Sequence, residues 1–155
     1  MENEGFLRSF CRELNLEKPR DAAQLNPLVL AYIGDSVFDL AVRTMLICGH
    51  DAKAHALHRM SSRRVCAAAQ AQALSTLLPV LEKEEMAIVQ RGRNAKPGTI
   101  PKNAAPEDYA AATGLEALLG WLYLSEKEER LLSLLKLCLE EQEPDRLQTA
   151  TPFRP

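Results

Sequence analysis

The stretch from Asn26 to Asp39 most constrains the fold, because it predicts a long apolar helix with an acidic side chain inside it. Asn26 is a favourable N-cap, and Pro27 suits the first helical position, where its missing N–H costs nothing. The following residues are almost all apolar, so we expect this helix to be buried on most sides. Asp35 stands within that run, directly after Gly34. Because a buried carboxylate is costly unless a cation or hydrogen bonds meet it, Asp35 is either a cap for a neighbouring element or a functional acid.

A second acid lies in an apolar helix late in the chain. Pro106 predicts the start of a helix that runs to Leu124, and Glu116 stands in its apolar part. Gly114 and Gly120 would weaken this helix unless another element packs closely against it. Two carboxylates on two buried helices suggest a Mg²⁺ site, since Mg²⁺ takes few protein carboxylates, keeps several waters and binds phosphate oxygens. A cation held there could polarise a phosphodiester and generate hydroxide from water.

The remaining sequence predicts further helices and no strand. Apolar residues make up 46% of the chain and aromatic residues only 5%, with many alanines and leucines, which favours helix over strand. The fold class expected is therefore all-α, a helical bundle. The 155 residues fit one domain, residues 1–142, followed by a disordered tail over residues 143–155, which holds three prolines. We expect helices over residues 3–14, 27–48, 53–77, 81–91, 106–124 and 127–141.

No stretch of the sequence predicts a membrane segment or a disulfide framework. No apolar run approaches the roughly 18 residues of a membrane span. The acidic start Met1-Glu2-Asn3-Glu4 lacks the basic and apolar parts of a signal peptide. The four cysteines lie far apart without a C-x-x-C pair, which favours reduced thiols over zinc or redox motifs. We therefore expect a cytoplasmic protein with no membrane partner.

Charge is distributed unevenly along the chain. The net charge of −2 by itself argues against a nucleic-acid partner. Residues 52–105, however, carry nine Lys and Arg against three Glu, a net charge of +6, which leaves −8 for the rest of the chain. A basic middle between acidic ends fits a polyanion footprint, although a solvated charged face gives the same pattern.

The segment from Arg91 to Asn103 concentrates cations and contains no acid. Its two glycines and two prolines predict an irregular loop. Long ordered loops inside a compact domain are usually functional, although a flexible surface connection is the alternative. We favour function, because the glycines would let the backbone approach a phosphate and the Arg and Lys side chains would supply charge.

Two of these stretches resemble the ribonuclease III catalytic domain. Leu30–Val37, with the sequence LAYIGDSV, is similar to the signature helix of that family, and Glu116–Leu124, with the sequence EALLGWLYL, is similar to its second acidic helix. More closely, the chain resembles the Mini-ribonuclease III subfamily, which lacks a double-stranded-RNA-binding domain. The resemblance covers roughly residues 20 to 140. Further matches to the subfamily are Leu57-His58, Ser61-Ser62-Arg63, Arg91–Lys96 and Pro101-Lys102-Asn103.

The resemblance implies an all-helical homodimer, with the helix from Tyr32 to Phe38 near the interface, that cleaves double-stranded RNA with Mg²⁺. In the cytoplasm it would mature the large-subunit (23S) ribosomal RNA precursor, with a ribosomal protein on the precursor as a further partner. Asp35 matches the catalytic aspartate and Glu116 the catalytic glutamate, and both would bind the metal. Full-length ribonuclease III has a glutamate where Ala31 stands and an aspartate where Thr113 stands, so the number of metal ions is open.

The resemblance and the charge pattern together define a predicted RNA-binding set and leave two classes of function. The set is His58, Arg63, Arg91, Arg93, Asn94, Lys96, Lys102 and Asn103. The chain is either a metal-dependent endoribonuclease or a non-catalytic helical module for RNA binding or dimerisation on the same scaffold. The pair Asp35 and Glu116 favours the enzyme, because a non-catalytic module has no use for two acids in apolar helices.

Overall fold

Seven α-helices make up the described part of the structure, a computed structural model that describes residues 4–96 and 98–142. No strand occurs in those residues, so the all-α prediction is confirmed. The predicted tail, residues 143–155, lies outside them. Short 3₁₀ turns occur at Ala22–Gln24 and Leu78–Val80. The helices are α1 (Phe6–Glu13), α2 (Pro27–Gly49), α3 (Ala54–Val65), α4 (Ala67–Leu77), α5 (Lys83–Asn94), α6 (Pro106–Leu124) and α7 (Glu128–Gln142).

Helix α6 lies at the centre of the core, and α2, α5 and α4 pack around it. It begins at Pro106 as predicted, and its leucines from Leu115 to Leu122 are fully buried. Helix α2 also begins as predicted. The Asn26 Oδ1 accepts a hydrogen bond from the Leu28 backbone N at 2.9 Å, and Pro27 is the first helical residue. The two helices that carry the predicted acids are therefore core elements with well-defined starts.

Two glycines allow α2 and α6 to approach at backbone distance. A Cβ atom added at Gly34 would overlap the carbonyl oxygen of Glu116, and one added at Gly120 would overlap the carbonyl oxygen of Leu30. Only glycine fits at these positions, because backbone atoms cannot move aside as a flexible side chain can. The close approach brings Asp35, the residue after Gly34, beside Glu116 on the facing helix.

Two predicted boundaries are wrong. The helical region predicted over residues 53–77 is two helices, because Cys66 adopts an extended conformation with φ −67° and ψ 157° between α3 and α4. Helix α5 does not end at Arg91 but continues past Gly92 to Asn94. A Cβ at Gly92 would lie 2.9 Å from the Gly114 Cα, so this glycine marks a helix contact with α6 and not a turn. The predicted irregular loop is thus helical up to Asn94.

The expectation that α2 is buried on most sides is also wrong. Its inner face, which includes Phe38 and Val42, is fully buried in the core. The opposite face carries several large apolar side chains among polar ones, and of these Tyr32 is 81% exposed and Leu40 is 68% exposed. An apolar helix therefore presents one face to the core and leaves the other uncovered in the single chain.

Candidate active site

Asp35 and Glu116 meet where α2 approaches α6. Their carboxyl groups are close enough to share a hydrogen bond, which requires one proton between them. Glu116 is partly buried, whereas Asp35 is exposed. The expectation that Asp35 is buried is therefore wrong. Because its carboxylate is exposed, no capping role is needed to offset the burial of its charge. The aspartate faces solvent at the rim of the site and the glutamate lies deeper.

The surroundings of Glu116 raise its pKa from 4.5 to about 7. The largest cause is burial, which disfavours the charged carboxylate, and the second is the negative charge of Asp35. A hydrogen bond from Gln70 acts in the opposite direction, because it stabilises the ionised form. Without a cation in the site, Glu116 therefore holds its proton up to nearly neutral pH.

Gln70 is a site residue that no sequence motif indicates. It lies on α4 and is only 1% exposed, on the same buried face as Ala73 and Leu74. Its Nε2 donates a hydrogen bond to the Val65 carbonyl oxygen at 3.1 Å. The sequence contains one indication of this role, namely a glutamine among apolar residues on the same helix face. This pattern is too common to identify Gln70 as a site residue without the structure.

The residues present fit a hard divalent cation. Two carboxylates from two core helices converge, and none of the ion pairs formed by the described residues includes either acid. A cation placed between them would remove the like-charge repulsion that raises the pKa of Glu116. Residues 4–96 and 98–142 contain no cluster of three or more His, Cys, Asp or Glu suited to a metal. The protein would thus supply two carboxylates, a number that suits Mg²⁺.

The two positions at which ribonuclease III has further acids supply no ligand here. Ala31 is buried and has no donor atom. Thr113 is also buried, and its Oγ1 donates a hydrogen bond to the Tyr109 carbonyl oxygen at 2.9 Å. Neither position therefore adds a carboxylate to the pair Asp35 and Glu116.

A cavity of about 470 Å³ adjoins Glu116. The junction of α3 and α4, the segment before α6 and the first turns of α6 line it, with Gln70, Asn103, Tyr109 and Thr113 among the polar contributors. Asn103 is the one member of the predicted RNA-binding set that lines this cavity. The cavity gives the acidic centre an open approach from solvent.

The predicted RNA-binding residues are exposed and lie on several elements. His58 and Arg63 are on α3, while Arg93 and Asn94 are in the last turn of α5. Lys96, Lys102 and Asn103 are exposed in the segment that joins α5 to α6.

Arg91 differs from the other cations, because its side chain is already engaged. Its guanidinium donates to the carbonyl oxygens of Ala23 and Leu25, the latter at 2.8 Å. It therefore ties the end of α5 to the segment that precedes α2. No motif separates this arginine from its neighbour Arg93, because both stand in the same basic stretch.

The model of the ribonuclease III domain matches residues 28–127, a stretch that includes both acids. The chain therefore belongs to the ribonuclease III domain family, and it is an endoribonuclease of that type. A Mini-ribonuclease 3 from Brevibacillus brevis is 48% identical over 120 residues, which are 77% of this chain and 90% of the relative. A Mini-ribonuclease 3 from a Thermoanaerobacter species is 39% identical over 137 residues, 88% of this chain and 96% of the relative.

A solved structure has a similar fold. A crystal structure of a protein from Fusobacterium nucleatum superposes with a TM-score of 0.70 at 26% identity, covering 77% of this chain and 95% of that one. The resemblance to Mini-ribonuclease III is thus confirmed. Within the described residues, no helix combines the length and the apolarity that a membrane crossing requires.

Proposed function

We propose that this protein is a Mg²⁺-dependent endoribonuclease that cleaves double-stranded RNA at a centre formed by Asp35 and Glu116. The observation that most supports the proposal is the convergence of these two carboxyls where α2 and α6 touch, on a ribonuclease III scaffold. The alternative of a non-catalytic module does not explain why a carboxylate is held partly buried next to a second one, an arrangement that raises its pKa to about 7.

The chain's own contribution to the reaction is a pair of oxygen ligands, of which Glu116 is partly buried and Asp35 is exposed. When bound, Mg²⁺ would polarise the phosphodiester and activate a water molecule. Glu116 loses its proton before both acids can act as ligands, and the Gln70 hydrogen bond favours that loss. Asp35, at the exposed rim, is the acid nearer to an incoming strand. The glycine contact between α2 and α6 holds the backbones that carry the two acids close together.

Substrate binding is proposed for the exposed polar and basic side chains around the centre. Arg93, Lys96 and Lys102 supply phosphate contacts, with His58 and Arg63 on α3 extending the surface. Asn94 and Asn103 add uncharged donors, and Asn103 lines the cavity beside Glu116. The engagement of Arg91 with two backbone carbonyls leaves it the least available of the predicted set.

The exposed apolar side chains on α2 support the proposal that the protein assembles as a homodimer. A duplex has two strands, and a two-fold axis would provide one acidic centre for each. The proposed biological substrate is the precursor of the large-subunit (23S) ribosomal RNA in the cytoplasm, with a ribosomal protein on the precursor as an additional partner. The similarity to proteins named Mini-ribonuclease 3 supports this more specific part.

A cleavage assay with the full chain tests the proposed function. A perfect RNA duplex, the same strands unpaired, and a stem from a 23S precursor are each incubated with MgCl₂ or with EDTA. We expect cleavage of both duplexes with MgCl₂, none with EDTA, and little cleavage of the single strands. Tight duplex binding without cleavage under MgCl₂ would instead establish the non-catalytic module.

A further inference from the structure

Gln70 is a buried polar residue whose presence the packing of α4 does not explain. It is 1% exposed and shares its helix face with Ala73, Leu74 and Leu77, all of them buried and apolar. A buried amide is destabilising unless its polar atoms are hydrogen-bonded. An apolar side chain of the same length would serve packing at least as well. The contacts of the amide therefore indicate its role.

The side chain of Gln70 on α4 lies between α3 and α6. Its Nε2 donates to the carbonyl oxygen of Val65 at 3.1 Å, and Val65 is the last residue of α3. That carbonyl has no partner within its own helix, as is general for the final turn. The same side chain lines the cavity beside Glu116 of α6 and lies within reach of its carboxyl group. A carboxylate can only accept hydrogen bonds, so the amide nitrogen is the group that can donate to it. An amide nitrogen carries two hydrogens, so both bonds can form together.

The Oε1 of Gln70 has no hydrogen-bond partner among the described residues, although it is buried. A side chain selected for stability alone would not leave a buried acceptor unsatisfied. The Nε2 bond to Val65 thus fixes the orientation of the amide, and the second hydrogen of this nitrogen stays available for the Glu116 carboxylate. Because the amide is neutral, it orients the Glu116 carboxylate without adding a positive charge that would repel a divalent cation.

We propose that Gln70 is a positioning residue for Glu116, which holds the glutamate carboxylate toward Asp35 and is itself anchored on the Val65 carbonyl. A glutamate side chain has three rotatable bonds, so without this clamp the carboxylate would sample several rotamers and meet Asp35 only part of the time. Partners of metal ligands that act in this way typically change metal affinity 10–100-fold when they are removed. The inference rests on the proposed metal-binding role of Asp35 and Glu116.

The test compares Gln70→Met with Gln72→Met in the full chain. Methionine has a similar length and no donor, and Gln72 is exposed on the same helix, so the second variant is a matched control. Mn²⁺ alone is titrated and followed by electron paramagnetic resonance, and duplex cleavage is measured over a Mg²⁺ series. We expect Gln70→Met to weaken Mn²⁺ binding by about tenfold or more and to raise the half-saturating Mg²⁺ concentration similarly. The KM for RNA at saturating Mg²⁺ should stay constant, and Gln72→Met should match the wild type.

The outcomes separate this inference from the proposed function. Unchanged Mn²⁺ affinity with only a lower melting temperature in Gln70→Met would make Gln70 structural and overturn the inference. The variants Asp35→Asn and Glu116→Gln are titrated in parallel. If they also bind Mn²⁺ as the wild type does, the proposed metal site itself fails.

A measurement on the unmodified chain keeps the inference testable if Gln70→Met does not fold. In ¹⁵N-labelled protein, the side-chain amide protons of Gln70 should exchange slowly with solvent and shift when Mg²⁺ is added. Those of Gln72 should exchange rapidly and stay in place. A Gln70 amide signal that Mg²⁺ leaves unmoved would contradict the positioning role.

Discussion

Glu116 makes the folding stability of the metal-free protein depend on pH. Its pKa is about 7 in the folded chain against 4.5 for the free side chain, so between these values the folded state binds more protons than the unfolded state. The free energy of unfolding is therefore unaffected below about pH 4.5 and falls as the pH rises from there through about 7. The total loss is on the order of 3 kcal/mol. Glu116→Gln should abolish this fall and unfold at higher urea concentration above pH 7.

Urea unfolding in EDTA at about pH 5 and about pH 8 measures the effect. Glu107→Gln is the control, because Glu107 is exposed in the first turn of the same helix. The wild type and the control should both lose stability at the higher pH, whereas Glu116→Gln should not. An equal loss in all three proteins would show that the ionisation of Glu116 does not cause the fall in folding stability.

Arg91 and Arg93 are expected to have different roles although they stand two residues apart. Arg91 bonds to two backbone carbonyls, so Arg91→Ala should lower the melting temperature and leave the salt dependence of RNA binding nearly unchanged. The double variant Arg93→Ala/Lys96→Ala should weaken duplex binding with little thermal effect, because exposed cations seldom support a core.

Binding across a salt series distinguishes the two cases. Each lost phosphate contact should reduce the slope of log K against log salt by about 0.9, the value for a B-form duplex. The same protein samples are melted to compare stability. An unchanged slope in the double variant, together with a lowered melting temperature, would move the RNA surface to the Arg59–Arg64 part of α3.

At the scale of single elements, the sequence specifies the acid-bearing helices better than the connections. Pro27 and Pro106 mark the starts of α2 and α6, because proline at the first helical turn is a local effect. The break at Cys66 carries no glycine or proline, so no local pattern predicts it. Gly92 reads as a turn signal, yet it is a tertiary contact with α6. Local chemistry thus predicts helix starts, whereas contacts between helices decide where some of them end.

The candidate site shows the same division between local and tertiary information. Asp35 and Glu116 stand out because each is an acid in an apolar run, which is visible in the sequence. Gln70 does not stand out, because its role depends on the α3–α4 junction lying against α6. The engagement of Arg91 with the carbonyls of Ala23 and Leu25 is likewise a long-range contact.

The approach of α2 to α6 should not tolerate a single methyl group. A Cβ at Gly34 would overlap the backbone carbonyl of Glu116, so Gly34→Ala must push the helices apart or prevent folding. We expect a loss of about 3 kcal/mol or more, at the upper end for overpacking of a core. Gly49→Ala is the matched control on the same helix, since nothing lies within 4 Å of its added Cβ. Equal urea midpoints for both variants would contradict the proposed packing of the site.

At the scale of the whole molecule, the outer face of α2 is the largest departure from the expected burial. Val29, Tyr32, Leu40 and Ile47 are all at least half exposed on this one helix. The sequence pattern predicts an apolar environment on both faces, and a second copy of the chain would provide it for the outer one. A periodic pattern reports burial in the assembly and does not say which chain contributes the covering surface.

Leu40→Lys should therefore dissociate the proposed dimer. A charge at the centre of an apolar interface is left desolvated, so the variant should sediment as a monomer at micromolar concentration where the wild type sediments as a dimer. Leu132→Lys is the control, because Leu132 on α7 is 66% exposed and lies outside the α2 face. Wild-type protein that sediments as a monomer at these concentrations would remove the dimer from the proposal.

The most direct test of the central claim is single-turnover cleavage of a labelled RNA duplex by Asp35→Asn at saturating Mg²⁺. Asp39→Asn is the matched control, since Asp39 lies one turn further along α2 and pairs with Arg43 at 2.7 Å. If Asp35 is a ligand at the catalytic centre, its variant should cleave at least about a hundredfold more slowly while its fold and duplex affinity are retained. The control should cleave at the wild-type rate. Cleavage by Asp35→Asn at the wild-type rate would contradict the claim that this carboxylate pair performs the reaction.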